Sequence, residues 1–162
     1  MGLNQIKPEI KQQFMRIKSM FQSVTESLAI GNLVSPEELK EISQKGYQTI
    51  IDLCTASEGN QLNAEEVKQL GFEYISVPID RLNLTPQTLP SFMQALDTAK
   101  KPIYTRCASG LRAGVMTLLA LANRQNWTEP QYLEKRQAFG LEHKPNCPLE
   151  AFAHEYFITA KV

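Results

Sequence analysis

The chain is poor in the groups that staple a fold or hold a metal. Its 162 residues include three cysteines and two histidines. Cys54, Cys107 and Cys147 are odd in number and widely spaced, in a chain long enough to bury a core without cross-links, so a disulfide scaffold is excluded. No Cys-x-x-Cys or His-x-x-x-His pair occurs, and neither a metal site nor any other cofactor is expected. Charge of one sign is missing too: seventeen basic and seventeen acidic side chains cancel, leaving no global field for nucleic acid. The longest apolar stretch, Val115 to Ala122, is far short of the roughly 20 residues that span a bilayer, and the first residues lack a secretory apolar core. A soluble, cytoplasmic protein without membrane insertion is therefore expected.

What is present is an alternation of helix and strand signals. Ile10, Phe14, Ile17 and Phe21 recur at helical spacing and predict an N-terminal amphipathic helix within residues 1–24, with Lys7, Lys11, Arg16 and Lys18 outnumbering Glu9 and its apolar side packed on a domain spanning 25–162. Ser35-Pro36-Glu37-Glu38 reads as a capping box with proline at the first helical position, so a helix over 36–45 is expected, closed by Gly46. Gln48 to Cys54 reads as a buried strand. Asn63 caps a helix that ends near Gly71, and Phe72 to Val77 reads as a second buried strand. Thr85-Pro86 opens a helix to about Ala99, Pro102 to Arg106 forms a third buried strand, and Arg112 to Asn123 the helix that follows. Thr128 caps a helix over 129–138, Gly140 ends it, and Pro148 starts a last one. Such alternation specifies an α/β layer fold with a central, mostly parallel sheet flanked by helices. His143, His154 and Trp127 are assigned no chemistry.

Cys107 stands apart from the other two thiols. Ligands of open α/β sheets collect beyond the carboxyl ends of strands, and Cys107 follows the third buried strand at such an end. The loop Ala108-Ser109-Gly110-Leu111 is short, holds a glycine able to adopt positive φ, and runs into a helix, so its amides can turn inward as an anion nest. The helix dipole adds to that field, which favours thiolate over thiol. Arg112, five positions after Cys107, can curl back over the loop and grip two oxygens of an oxyanion through its planar fork. Cys147, in an Asn-Cys-Pro turn, reads as inert.

Three stretches carry a resemblance: Gly46 through Gly59, Phe72 through Asp80, and Tyr104-Thr105-Arg106-Cys107 through Arg112. In order and spacing they resemble the dual-specificity protein phosphatase fold. More narrowly they resemble the phosphatase-like domain of the β-lactamase-hydrolase-like proteins, a family also labelled sulfurtransferase, over about Leu28 to Asn123. The resemblance implies Cys107 as nucleophile, Arg112 as oxyanion clamp, and the amides of Ala108, Ser109, Gly110, Leu111 and Arg112 as the cradle. It places Asp80 where such phosphatases keep the acid that protonates the leaving oxygen, with Asp52 and Glu58 as competing carboxylates. Cys54, ending the strand beside that of Cys107, resembles the back-door cysteine of redox-regulated relatives and implies a disulfide partner for Cys107.

Against the phosphatase pattern there are three departures. Four residues rather than five separate Cys107 from Arg112, a spacing associated with rhodanese sulfurtransferases. Arg106 replaces the histidine before the nucleophile, and supplies charge to the thiol only if strand alternation does not turn it away. Ala113 replaces the hydroxyl residue that helps the thiolate leave, and Ser109 is the only hydroxyl in the loop. Three functions follow: a cysteine-dependent phosphatase acting on a phosphomonoester such as a phosphotyrosine or phosphoserine protein, a sulfurtransferase working through a Cys107 persulfide from a sulfur-donor substrate, or an inactive oxyanion-binding module.

Overall fold

A computed structural model describes residues 19–141 and 146–160. Its centre is a five-stranded sheet in the order β1-β2-β5-β3-β4, built from β1 Phe21–Ser23, β2 Leu28–Gly31, β3 Thr49–Asp52, β4 Glu73–Ser76 and β5 Ile103–Arg106. Only β1 runs antiparallel to its neighbour, and the other three pairings are parallel. The helices are α1 Pro36–Gln44, α2 Ala64–Gln69, α3 Thr88–Thr98, α4 Leu111–Gln125, α5 Glu129–Ala138 and α6 Pro148–Ala160.

The caps explain where several helices begin. The Ser35 hydroxyl accepts the Glu38 amide at 3.2 Å while Glu38 accepts the Ser35 amide at 3.1 Å, and Thr128 and Gln131 exchange the same pair of bonds at α5. Asn63 Oδ1 accepts from the Glu66 amide and starts α2. Each satisfies helix-terminal donors that would otherwise be orphaned.

Strand alternation sorts the side chains onto two layers. Leu28, Ile30, Ile51, Leu53 and Ile103 pack with α3, α4 and α6 on one face, and Ala29, Ile50 and Tyr104 pack with α1 and α2 on the other. Strands β2, β3 and β5 are buried throughout, as parallel strands covered on both faces are.

Three sequence expectations are corrected. The strand at 73–76 is an edge strand of intermediate exposure rather than a buried one, because β4 has a neighbour on one side only. The helix expected from Thr85 starts at Thr88: Thr85 Oγ1 accepts the Gln87 amide and Thr88 Oγ1 the Thr85 amide, which closes a turn instead. Strands β1 and β2 escape the sequence reading, and Phe21, the last residue of the N-terminal helical pattern, lies in β1. The remaining residues of that pattern and the helix expected there lie outside the described residues.

Candidate active site

The site is built at the carboxyl end of β5, the central strand. The chain leaves the sheet at Cys107 and turns at Gly110, whose φ of 91° is one that glycine adopts without steric cost. It then enters α4, the fifteen-residue helix whose middle is buried on all sides. Cys107 is fully buried. Its Sγ accepts the Gly110 amide at 3.1 Å and the Ala113 amide at 3.4 Å. Two main-chain donors at a helix start thus point at sulfur, a field suited to negative charge. The donor pair differs from the expected run of five: Ala113 lies one residue beyond it, and the Leu111 amide is directed to Ser109 Oγ at 3.3 Å.

Arg112 extends from the first turn of α4 to the neighbouring strand ends. Its Nη1 donates to the Ile79 carbonyl at 2.8 Å and to Glu58 Oε2 at 2.9 Å, and its Nη2 donates to Glu58 Oε1 at 2.5 Å. This is a bidentate fork-to-carboxylate pair, strong and directional. It engages the Nη1–Nη2 edge of the guanidinium. The remaining N–H groups of the five-donor fork lie on the Nε–Nη2 edge. The arginine side chain retains 10% exposure.

Glu58 is fixed in turn. It closes a 3-10 turn over Ala56–Glu58, where Oε2 also accepts the Thr55 amide at 2.6 Å and the Thr55 hydroxyl at 2.9 Å. The Arg112 hydrogen bonds pull its carboxyl down to about 2, against the opposing effect of burial. A carboxylate held ionised in this way is an anchor for Arg112, not a proton donor. The sequence treats Glu58 only as a rival acid, although Thr55-Ala56-Ser57-Glu58 has the Thr-x-x-Glu spacing that ties a turn together.

Asp52 is excluded as an acid by saturation. Its Oδ1 accepts from the Cys54 amide and Arg106 Nη1, and its Oδ2 from the Leu62 amide and the Tyr74 hydroxyl. All four bonds arrive at a fully buried group. Arg106 is accordingly turned away from the thiol. In the parallel register Asp52 faces Arg106, and both side chains emerge on the α1 and α2 side, opposite to Cys107. Arg106 also donates to the Asn60 carbonyl at 2.7 Å, so it braces the loop that carries Glu58.

Asp80 is exposed one residue beyond Ile79, whose carbonyl holds Arg112. Its Oδ1 accepts the Leu82 amide at 2.9 Å and its main-chain oxygen accepts the Asn83 amide, a tight turn that holds the exposed carboxylate in place. Cys54 and Cys107 are buried free thiols at the ends of adjacent strands. Burial pushes the Cys54 thiol up, so it resists ionisation. His154 lies far along the chain in α6, where Nδ1 meets Glu129 at 2.8 Å. Among the described residues no His, Cys, Asp or Glu side chains group as a metal site, and no helix is long and apolar enough to cross a membrane.

A buried cysteine under helix-start amides, with an arginine from the first turn beside it, defines the cysteine-phosphatase type of α/β fold. Residues 20–124 match the phosphatase-like domain of beta-lactamase hydrolase-like proteins, and the chain belongs to that family. The beta-lactamase hydrolase-like protein of Xylella fastidiosa strain Temecula1 is 26% identical over 102 residues, which cover 60% of this chain and 24% of that protein. A DUF442 protein of Shewanella putrefaciens CN-32 superposes with a TM-score of 0.69 at 23% identity, covering 87% of this chain and 91% of that one. TpbA of P. aeruginosa superposes with a TM-score of 0.71 at 14% identity, covering 88% and 91%. These structures share the fold.

Proposed function

We propose that the chain hydrolyses phosphomonoesters through a phosphocysteine at Cys107. The observation that carries the reading is the arrangement at sulfur: two amides donate to Sγ while Arg112, anchored by Glu58 and Ile79, keeps its Nε–Nη2 edge for two oxygens of a phosphoryl group. Sγ attacks phosphorus in line with the ester oxygen, an S–P bond forms and the P–O bond breaks. Charge on the equatorial oxygens is met by the arginine and the loop amides. Asp80 gives its proton to the leaving oxygen, a step worth typically about 10²–10⁴-fold. Water then attacks phosphorus, Asp80 takes its proton, and phosphate leaves with the thiolate restored. Asp80 is the carboxylate suited to this because Glu58 is bound to Arg112 and Asp52 is saturated.

The test is turnover of an aryl phosphate by the full chain. Cys107→Ser abolishes it. Asp80→Asn slows phenyl phosphate more than p-nitrophenyl phosphate, whose leaving oxygen needs no proton. Sulfur transfer from thiosulfate to a thiol acceptor, unaffected by Asp80→Asn and without phosphate turnover, would overturn the reading in favour of the persulfide chemistry that the four-residue loop allows.

A further inference from the structure

The cradle loop carries a contact that the proposed chemistry does not use. Ala108 and Ser109 are exposed, but Gly110, which turns the loop into α4, is buried. Met20, the residue before β1, lies on it. A Cβ added to Gly110 would sit 2.8 Å from Met20 Cε and 2.9 Å from Met20 Sδ. Both atoms are therefore within roughly 4.5 Å of the Gly110 α-carbon, the range of van der Waals contact.

Met20 is itself fixed by its main chain. Its amide donates to Asn32 Oδ1 at 2.8 Å, and its carbonyl accepts the Asn32 amide at 3.0 Å. The carbonyl of the neighbouring Gly31 accepts the Cys107 amide at 3.2 Å, so the segment that carries Met20 is tied to the strand end that carries the nucleophile. Gly31 permits this close approach, since a Cβ there would collide with the Met20 carbonyl oxygen. The half-buried Met20 side chain then reaches the loop. Its unbranched thioether is suited to filling the irregular space over a bare α-carbon. Gly110 is thus held twice: its amide donates to Cys107 Sγ at 3.1 Å, and its α-carbon packs against the thioether.

We propose that Met20 is a positioning residue for the cradle: seated on Gly110, it holds the Gly110 amide on Cys107 Sγ and keeps the loop in the shape that receives an oxyanion. Glycine is the residue with the widest backbone freedom, and the loop turns on it. A donor must be preorganised to stabilise charge as it develops, and small displacements forfeit much of its effect. The packed thioether supplies the restraint that glycine lacks. The assignment deepens the hydrolase reading and rests on it for the reaction; the contact with Gly110 stands on geometry alone.

The experiment compares the full chain with Met20→Ala, Met20→Val and Met20→Leu in kcat/KM for phenyl phosphate, calorimetric binding of tungstate, and melting temperature. Val24→Ala trims another half-buried side chain packed on the same apolar cluster and controls for lost packing. In Met20→Ala and Met20→Val, kcat/KM is expected to fall by about tenfold and tungstate binding to weaken by a similar factor, less than the roughly 10²–10³ lost when an oxyanion donor is removed outright. Met20→Leu, which restores the length of the side chain, recovers both to within about threefold. Val24→Ala lowers the melting temperature and leaves turnover and tungstate binding as in the wild type. A Met20→Ala protein that melts earlier yet keeps its turnover and tungstate affinity reduces Met20 to plain packing and overturns the proposal. So does a Met20→Leu protein as impaired as Met20→Ala at the wild-type melting temperature. If the wild type turns over no phosphate, the hydrolase reading fails, while tungstate binding that weakens in Met20→Ala and recovers in Met20→Leu still supports the positioning role. A wild type that neither turns over phosphate nor binds tungstate overturns both.

Discussion

Two arginines, one ending β5 and one in the first turn of α4, point to opposite sides of the sheet, and their surroundings differ. Arg106 pairs with Asp52 on the α1 and α2 side, and both are sealed, at 1% and 0% side-chain exposure. Arg106 Nε has no partner at all, while Asp52 is fully bonded. Arg112 pairs with Glu58 on the other side, at 10% and 27% exposure. The first pair is closed around its charges and braces the loop behind the site. The second leaves one edge of the guanidinium for a ligand. One cation is therefore committed to the fold, and the other is the one to which the proposed chemistry assigns the anion.

The sharpest way to break this contrast is to remove the sealed cation. Arg106→Met leaves Asp52 buried and uncompensated, and is expected to lower unfolding free energy by about 3–5 kcal/mol, read by urea denaturation. Next comes Arg112→Lys, which keeps the charge and loses the fork: the protein folds, and kcat/KM on phenyl phosphate falls by about 10²–10³. An Arg112→Lys protein as active as the wild type would remove the arginine from the proposed chemistry.

Glu58→Gln is expected to be milder. It keeps one hydrogen bond to Arg112 and loses the ion pair, so the guanidinium is still placed but less firmly. Turnover is expected to drop by about tenfold, with the loss in kcat rather than KM if orientation in the transition state is what Glu58 supplies. The smallest effect is on pH dependence. The folded-state carboxyl of Glu58 lies below its ordinary value, so its stabilisation is fully present above about pH 4.5 and is lost as pH falls through about 2. The difference in melting temperature between wild type and Glu58→Gln should therefore shrink steadily across that acid range.

The parts legible in the sequence were those with local causes. Caps at Ser35, Asn63 and Thr128 mark their helices within a residue of the observed starts, because the capping bonds are made between residues three apart. The strand, loop and helix around Cys107 were legible for the same reason. What stayed hidden depends on distant chain. β2 is four residues long and gains its burial from pairing with β5, some seventy residues on. The direction of Arg106 depends on which face of the sheet Asp52 occupies, and the fixing of Arg112 on Glu58 and Ile79, residues brought in from two other strand ends.

The most direct test of the contrast between the two arginines is a crystal structure of the protein with tungstate, a tetrahedral oxyanion like phosphate. The contrast predicts the anion over Cys107 Sγ, with two oxygens on Nε and Nη2 of Arg112, the Glu58 pair intact and Arg106 still on Asp52. Tungstate bound away from Cys107, or an Arg112 that must abandon Glu58 to reach it, would contradict it.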